Sequence, residues 1–259
     1  MALITAIANN KGGCGKTTTA ANLGAALQRL GYGVLLVDLD GQTNLTASYG
    51  VAPTKEQTTF AALNSGAPIA PTGILPKGKG SGALDLLPAS RDLAALDLAL
   101  AGAPDRLERI ARLLDAYRPA YDVILIDTPP AIGALTIGAL YAADSVIITI
   151  QPQFLAVSGL VALSHAVTTI EENRGRALPF SVLLTQYDRR KSLHRLTEEQ
   201  VAAAFATFAT KIRDNVALGE APAAGVDIFR YAPRSNGAAD YAALAVEYKN
   251  NNKLKTIKR

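Results

Sequence analysis

The chain has 259 residues, 49% hydrophobic and 19% charged, so it can bury a sizeable core. No apolar run reaches the roughly 18 residues of a membrane span, and no signal-peptide pattern opens the chain, so we expect a cytoplasmic protein. The net charge of +4 is uneven: residues 174–259 carry 15 Lys and Arg against 8 Asp and Glu, which favours either an anionic partner or a solvated basic surface.

Five short runs that are apolar on both faces predict strands of a parallel sheet. In chain order they are Ala2–Ala8, Gly33–Asp40, Tyr121–Asp127, Asp144–Ile150 and Leu178–Thr185. Segments of helical period alternate with them, namely Thr17–Leu30, Leu107–Tyr117, Val157–Asn173, Thr197–Phe208 and Ala238–Lys249. This alternation predicts an α/β fold with a mostly parallel, twisted sheet and helices on both faces, in which ligands bind beyond the carboxyl ends of the strands.

The chain shows neither an internal repeat nor an inter-domain linker, so residues 1–249 are predicted to form a single domain. The Gly- and Pro-rich segment Asn64–Asp85 is predicted to be a mobile loop. Residues 250–259 form a polar, basic tail that we expect to fray.

A glycine-rich loop joins the first predicted strand to the first predicted helix, as in a P-loop. Its backbone N–H groups can surround a phosphate, and the helix N-terminus adds a partial positive charge. Lys16 can reach the β- and γ-phosphates, and the Thr17 hydroxyl can bind Mg²⁺. Asn10 stands where the ordinary pattern requires Gly, yet strand, loop and "GKTT" together predict binding of ATP with Mg²⁺. The predicted nucleotide site comprises Gly12, Gly13, Cys14, Gly15, Lys16, Thr17 and Thr18.

Carboxylates end two of the predicted strands. Asp127 closes "VILID", where a Walker B carboxylate holds Mg²⁺ through water. Asp38 and Asp40 close "LLVDLD" and, being two residues apart, face the same side of a strand. One of these two could lie near the metal and the other near the attacking water.

Several stretches resemble one family. "NKGGCGKTTTAANLG" resembles the deviant Walker A box of the ParA/MinD class of P-loop ATPases, and "LLVDLDGQTN" resembles the second ParA box, which usually has Pro where Gly41 stands. "YDVILIDTPPAIGALTIGALYAADSVIITIQP" is similar to the ParA Walker B region. "LLTQYDRRKSLHR" and the segment from Ile212 to Tyr248 are similar to the ParA C-terminal half. The matches run from about residue 2 to 249 and indicate a ParA-type partition ATPase.

The resemblance implies an ATPase that forms a homodimer with ATP and binds DNA without sequence preference. It would segregate plasmid or chromosome DNA with a ParB-like adaptor and associate with the nucleoid. Lys11 would be the signature lysine of the family, which crosses a sandwich dimer to the phosphates of the other subunit, much as an arginine finger does. Lys16 would serve the nucleotide of its own subunit.

The resemblance also implies roles for the carboxylates. Asp40 would position the attacking water, Asp38 would lie near the Mg²⁺ shell, and Asp127 would be the Walker B residue. Gly41 in place of Pro is expected to leave the backbone beside Asp40 more flexible. Pro233, in "YAP", would contact the adenine edge.

By the same resemblance the basic C-terminal third would bind DNA. No aromatic residues are interleaved with its cations, so we expect contacts to phosphate rather than base stacking. Because the first strand starts at Ala2, we expect no N-terminal helix-turn-helix extension and no operator reading. The candidate DNA-binding residues are Arg189, Arg190, Lys191, Arg195, Lys211, Arg213, Arg230 and Arg234.

Other functions fit parts of this pattern. A ParA-like ATPase could position a protein assembly instead of DNA, and a metabolic P-loop enzyme would share the loop. A MinD-like division regulator needs an amphipathic C-terminal helix, for which the tail offers only Leu254 and Ile257, so we expect no membrane partner. An iron–sulfur reductase component needs cysteines away from the loop, whereas Cys14 is the one cysteine of the chain.

Overall fold

The structure, a computed structural model, describes residues 1–153 and 156–255. Seven strands form one sheet in the order β3-β4-β2-β5-β1-β6-β7. Neighbouring strands are parallel except β3 and β4, which confirms the predicted mostly parallel sheet. The strands are β1 (Leu3–Ala8), β2 (Val34–Asp38), β3 (Thr72–Leu75), β4 (Leu84–Leu87), β5 (Val123–Asp127), β6 (Ser145–Ile150) and β7 (Phe180–Leu184).

Helices cover both faces of this sheet, as predicted. Successive side chains of a strand point to opposite faces, and Ile4 and Ile7 of β1 accordingly belong to two different hydrophobic clusters. Residues of α5, α6 and α7 fill one cluster, and residues of α1 and α11 fill the other. The helices are α1 (Lys16–Arg29), α2 (Asn44–Ser48), α3 (Thr59–Ser65), α4 (Leu93–Leu100), α5 (Glu108–Asp115), α6 (Ala134–Ala142), α7 (Ala156–Arg174), α8 (Ser192–Ala204), α9 (Val216–Glu220), α10 (Ile228–Tyr231) and α11 (Asn236–Asn251).

The segment Asn64–Asp85 is not one loop, as the sequence predicted, because it contains β3 and the start of β4. Both strands lack the continuous apolar pattern of the central strands. The residues of β3 are half-buried or exposed at the sheet edge. In β4 the apolar run is interrupted by Asp85, whose carboxylate accepts a hydrogen bond from the Tyr121 hydroxyl at 2.7 Å.

Helix α8 begins five residues before its predicted start at Thr197 and ends before Phe205. Its buried residues His194, Thr197 and Val201 follow helical spacing. Because two of these three are polar, the apolar pattern did not predict the first part of the helix. Phe205 has extended backbone and packs its ring 5.8 Å from that of Phe180.

The last helix, α11, continues to Asn251. Beyond it, Leu254 packs against the hydrophobic cluster on the α1 side, and its carbonyl accepts a hydrogen bond from the Tyr32 hydroxyl at 3.2 Å. Residues 256–259 of the predicted tail, including Ile257, lie outside the described residues. Within the described part of the chain, no helix has both the length and the apolar character to span a bilayer.

Candidate functional site

A cavity of about 690 Å³ opens at the carboxyl edge of the sheet. The loop between β1 and α1 borders it, together with the loops after β2, β5 and β7 and the short helices α2 and α9. The lining residues are Gly12, Gly13, Gly15, Lys16, Thr17, Thr18, Asp40, Gln42, Asn44, Ala47, Ser48, Pro130, Gln186, Leu218, Gly219, Pro222 and Ala223. The structure therefore brings most of the predicted nucleotide site together with Asp40.

Two glycines shape the loop before α1. Gly13 and Gly15 have φ angles of 74° and 83°, in the left-handed region that disfavours a side chain. Helix α1 begins at Lys16, and its first turn has neither a side-chain cap nor an acidic residue. The N–H groups of this turn and the positive end of the helix dipole are therefore available to an anion such as phosphate.

The two lysines of the loop have different surroundings. Lys16 is buried, lines the cavity and donates a hydrogen bond from Nζ to the Lys11 carbonyl at 3.2 Å. Lys11 is exposed and is not a lining residue, and its Nζ donates to the side chain of Gln153. Lys16 can therefore serve a ligand in this cavity, whereas Lys11 lies exposed outside it with its ammonium group against Gln153.

Asp127 ends β5 and is fully buried. The Thr17 hydroxyl donates to its Oδ2 at 2.7 Å, while its Oδ1 has no hydrogen-bond partner. Burial raises the pKa of Asp127 well above its usual value, and the charge of Asp38 raises it further. An unpartnered buried carboxylate oxygen is costly unless a donor or a cation meets it.

The donor set of this corner fits Mg²⁺. This ion prefers oxygen ligands and is usually held by one or two carboxylates together with substrate phosphates and water. Thr17 and Asp127 supply a hydroxyl and a carboxylate beside the phosphate-binding loop. The described residues contain no cluster of three or more His, Cys, Asp or Glu side chains that could hold a metal by themselves. Most ligands of an ion held here would therefore be water molecules or the phosphates of a bound nucleotide.

Asp38 lies directly opposite Asp127 in the register of β2 and β5. Its Oδ1 accepts from the Asp40 N–H at 3.1 Å, and its Oδ2 accepts from the N–H and hydroxyl of Thr46 at 2.9 and 2.7 Å. Burial raises the pKa of Asp38 to about 6, although the hydrogen bonds from Thr46 oppose the shift. Asp38 does not line the cavity, and its contacts hold Asp40 and α2 in place.

Asp40 lines the cavity, and its Oδ1 accepts a hydrogen bond from the Gln42 N–H at 3.0 Å. The neighbouring Gly41 packs tightly against α4, since a Cβ atom at this position would lie 3.1 Å from the backbone nitrogen of Ala94. A side chain at this position would therefore crowd α4, and the predicted greater flexibility of the backbone beside Asp40 stays a prediction.

Four of the basic candidates line a second cavity of about 490 Å³. They are Arg189, Arg190, Lys211 and Arg213. The first residue of the cavity lining in chain order is Tyr187, which directly follows Gln186. The remaining candidates lie elsewhere: Lys191, Arg195, Arg230 and Arg234 are exposed but do not line this cavity.

Ion pairs restrain several of these cations. Arg190 pairs with Asp188 at 2.9 Å, and Lys211 pairs with Glu198 at 2.5 Å. Arg213 pairs with Asp240 at 2.7 Å, and Arg230 pairs with the buried Asp227 at 2.6 Å. These four side chains therefore have structural partners as well as positive charge.

Sequence reasoning missed the side of the cavity opposite the loop, formed by Leu218, Gly219, Pro222 and Ala223. Its short helical turns have no sustained period from which to predict them. Gln186 was also missed, although it follows the carboxyl end of a strand, which is itself a signal for ligand contact. Pro233 is exposed and does not line the cavity, so its adenine contact stays a prediction.

Comparison with known proteins gives matches over nearly the whole chain. A family model described as an AAA domain matches residues 2–180. The chain is 41% identical to the chromosome-partitioning ATPase Soj of Thermus thermophilus, with 93% of each chain covered. It is 38% identical to the chromosome partitioning protein ParA of Caulobacter vibrioides, with 94% of this chain and 92% of that protein covered.

A solved structure gives the same fold. The crystal structure of cobyrinic acid a,c-diamide synthase from Mycobacterium smegmatis, with bound ATP analogue and magnesium, matches this chain with a TM-score of 0.80 and 30% identity. The match covers 100% of both chains, so the shared fold extends over the whole length of this chain.

Proposed function

The chain belongs to the ParA family of partition ATPases, and on this premise we propose that it hydrolyses ATP in the cavity to drive the partition of plasmid or chromosome DNA. The observation that best supports the proposal is the Thr17–Asp127 pair, whose unpartnered Oδ1 lies buried beside the glycine loop. That corner suits a nucleotide bound together with Mg²⁺. The solved relative from Mycobacterium smegmatis was crystallised with an ATP analogue and magnesium.

The glycine loop and four side chains of the site have distinct parts in the proposed reaction. The N–H groups of the loop and of the first turn of α1 bind the phosphates, and Lys16 offsets their charge. Thr17 and Asp127 would hold Mg²⁺, which when bound neutralises charge on the β- and γ-phosphates. Asp40 orients the water that attacks the γ-phosphate, and the products are ADP and inorganic phosphate.

Lys11 is proposed to contact the ATP that is bound by the other subunit of an ATP-bound homodimer. Its side chain is exposed and outside its own cavity, as a residue that reaches a partner must be. A cation supplied across an interface to a triphosphate would link ATP occupancy to dimerisation.

The basic cavity is proposed to contribute to DNA binding, together with the exposed cations around it. Contacts to phosphate carry no sequence information, so binding is expected on any duplex. A ParB-like adaptor would connect the ATPase to its cargo, and the ATP-bound dimer would associate with the nucleoid. A MinD-like role is less well supported, since Leu254, one of the two apolar residues of the tail, is packed against the core.

Sedimentation with DNA tests this function. With ATP and Mg²⁺ we expect the protein to cosediment with DNA of unrelated sequence, and with ADP we expect much less. ATP hydrolysis without DNA binding would favour the alternative function, in which the ATPase positions a protein assembly instead of DNA. If neither hydrolysis nor DNA binding occurs, the proposed function is wrong.

A further inference from the structure

Gln186 has an unusual backbone conformation. Its φ of 50° lies in the left-handed region, where among the described residues other than Gly only Thr43 and Lys253 join it. Residues remain in this region when surrounding contacts determine their position, and such residues are enriched at functional sites. The contacts of Gln186 therefore need an explanation.

The side chain of Gln186 connects the end of β7 to the glycine loop. Its Nε2 donates to the Gly13 carbonyl at 2.7 Å, and its Oε1 accepts from Nε2 of Gln151 at 2.6 Å. The preceding residue makes a parallel contact, because the Thr185 hydroxyl donates to the Cys14 carbonyl at 2.9 Å. Two consecutive residues after β7 thus hold two consecutive carbonyls of the loop.

These contacts determine where the N–H groups of the loop point. A peptide unit is planar and trans, so a carbonyl held on one side directs the N–H of the next residue to the other side. Holding the Gly13 carbonyl fixes the Cys14 N–H, and holding the Cys14 carbonyl fixes the Gly15 N–H. A carbonyl that rotated toward a bound phosphate would repel it, and the corresponding N–H would no longer face the site.

We propose that Gln186 is a positioning residue of the nucleotide site, which keeps the Gly13 carbonyl turned away from the phosphates, and that Gln151 fixes the orientation of the Gln186 amide. The inference rests on the proposed nucleotide binding at the glycine loop. It concerns the phosphates rather than the base.

A contact with the nucleobase is the competing explanation. Gln186 also lines an adjoining cavity of about 300 Å³, together with Thr18, Arg213 and Leu218. If Gln186 served the base, its removal would weaken binding of a nucleoside diphosphate but not of pyrophosphate. If Gln186 positions the loop, its removal would misdirect N–H groups that bind the phosphates of both ligands. The affinities for the nucleoside diphosphate and for pyrophosphate would then fall together.

The test compares ADP and pyrophosphate as competitors of a fluorescent ADP. Gln186→Gly removes the amide and relieves the left-handed backbone, so we expect the variant to fold. We expect both ligands to bind about 3- to 10-fold more weakly, by the same factor, as for the removal of one hydrogen bond. Lys253→Gly is the matched control, because it relieves a φ of 49° outside the nucleotide site and should change neither affinity.

Gln151→Ala gives a second measurement, which also decides the question should Gln186→Gly fail to fold. Gln151→Ala should lower the affinity for both ligands. The double variant should bind them no more weakly than Gln186→Gly alone, because the two residues act in one chain of hydrogen bonds. Unchanged affinity for both ligands would overturn the inference, as would a weakening confined to ADP. A parent protein that binds neither ligand would instead refute the proposed function itself.

Discussion

Arg213 and Asp240 are joined by backbone and side chain together. Nη2 of Arg213 lies 2.7 Å from Oδ1 of Asp240, and the Arg213 backbone N–H donates to Oδ2 at 3.0 Å. Asp240 belongs to α11, so this pair ties the loop before α9 to the last helix. Charge reversal at Arg213 would place two carboxylates side by side and would test folding as much as DNA binding.

Arg189 and Arg234 are cleaner probes of DNA binding, because within the described chain neither makes an ion pair and both are exposed. We expect Arg189→Glu with Arg234→Glu to weaken binding to all sequences alike. The slope of log affinity against log salt should fall by about 1 for each phosphate that the variant no longer binds. Fluorescence anisotropy with ATP across a salt series measures both effects.

The matched control for DNA binding is Lys55→Glu with Arg106→Glu, which reverses two exposed charges outside the basic third. Equal weakening in the two double variants would show that net charge alone governs binding. A strong preference of the parent for one operator would contradict recognition through phosphates.

Lys16→Ala should weaken ATP binding by about 10- to 100-fold, as expected when a charge-assisted hydrogen bond to a phosphate is removed. Titration calorimetry with ATP and Mg²⁺ measures the change, and circular dichroism checks that the variant is folded. Parent-like affinity would mean that this loop is not the phosphate site.

Asp40→Ala should bind ATP as the parent does but hydrolyse it about 100-fold more slowly or worse, because its role is on the water rather than on the nucleotide. Single-turnover hydrolysis beside an affinity titration separates the two. Glu56→Ala, which removes an exposed carboxylate, is the control. Unchanged hydrolysis would show that Asp40 does not position the attacking water.

Lys11→Ala should leave ATP binding by the monomer largely intact and abolish ATP-dependent dimers, because the lysine acts on the nucleotide of the partner. Light scattering with ATP reports the dimer, and Lys55→Ala, an exposed lysine of another surface, serves as the control. Dimerisation at the parent level would rule out the role across the interface.

Asp144 should make stability depend on pH. Burial alone would raise its pKa, but hydrogen bonds from Arg118 and the Ile4 N–H, with the charges of Arg118 and Arg176, hold the pKa below its usual value. A carboxylate whose pKa is lower in the folded state stabilises the fold above its unfolded pKa of about 3.9, and this contribution disappears as pH falls through the folded value.

Asp144→Asn should therefore lower Tm at pH 7, and its difference from the parent should shrink as pH falls below about 4. Thermal unfolding over a pH series measures this. Asp115 is the other ion-pair partner of Arg118, and its side chain is 65% exposed. Asp115→Asn should therefore have a small effect at every pH. A difference between Asp144→Asn and the parent that stayed constant down to about pH 2 would contradict the assignment.

The central strands could be predicted because burial on both faces leaves an unbroken apolar run, as in "VILID" of β5. The edge strand β3 could not be predicted, since it is short and largely unburied and its pairing with β4 depends on the tertiary fold.

The loop and Asp40 could be placed in one site because parallel strands end at one edge. The hydrogen bond from Gln186 to Gly13 could not, because 173 residues separate them. Nor could the ion pairs of the basic residues, which depend on how distant helices pack.

The position of β1 also has a consequence for synthesis. Leu3 pairs with Val123 of β5, and Thr5 pairs with Ser145 of β6, so β1 lies between two strands that are synthesised much later than β1 itself. At about 5–20 residues per second, β1 remains without these neighbours for on the order of 10 s. Meanwhile β2 can pair with β4, but the glycine loop after β1 cannot take its final shape. Nascent chains should therefore acquire nucleotide affinity late, only after β5, β6 and the residues that follow β7, Thr185 and Gln186, have emerged.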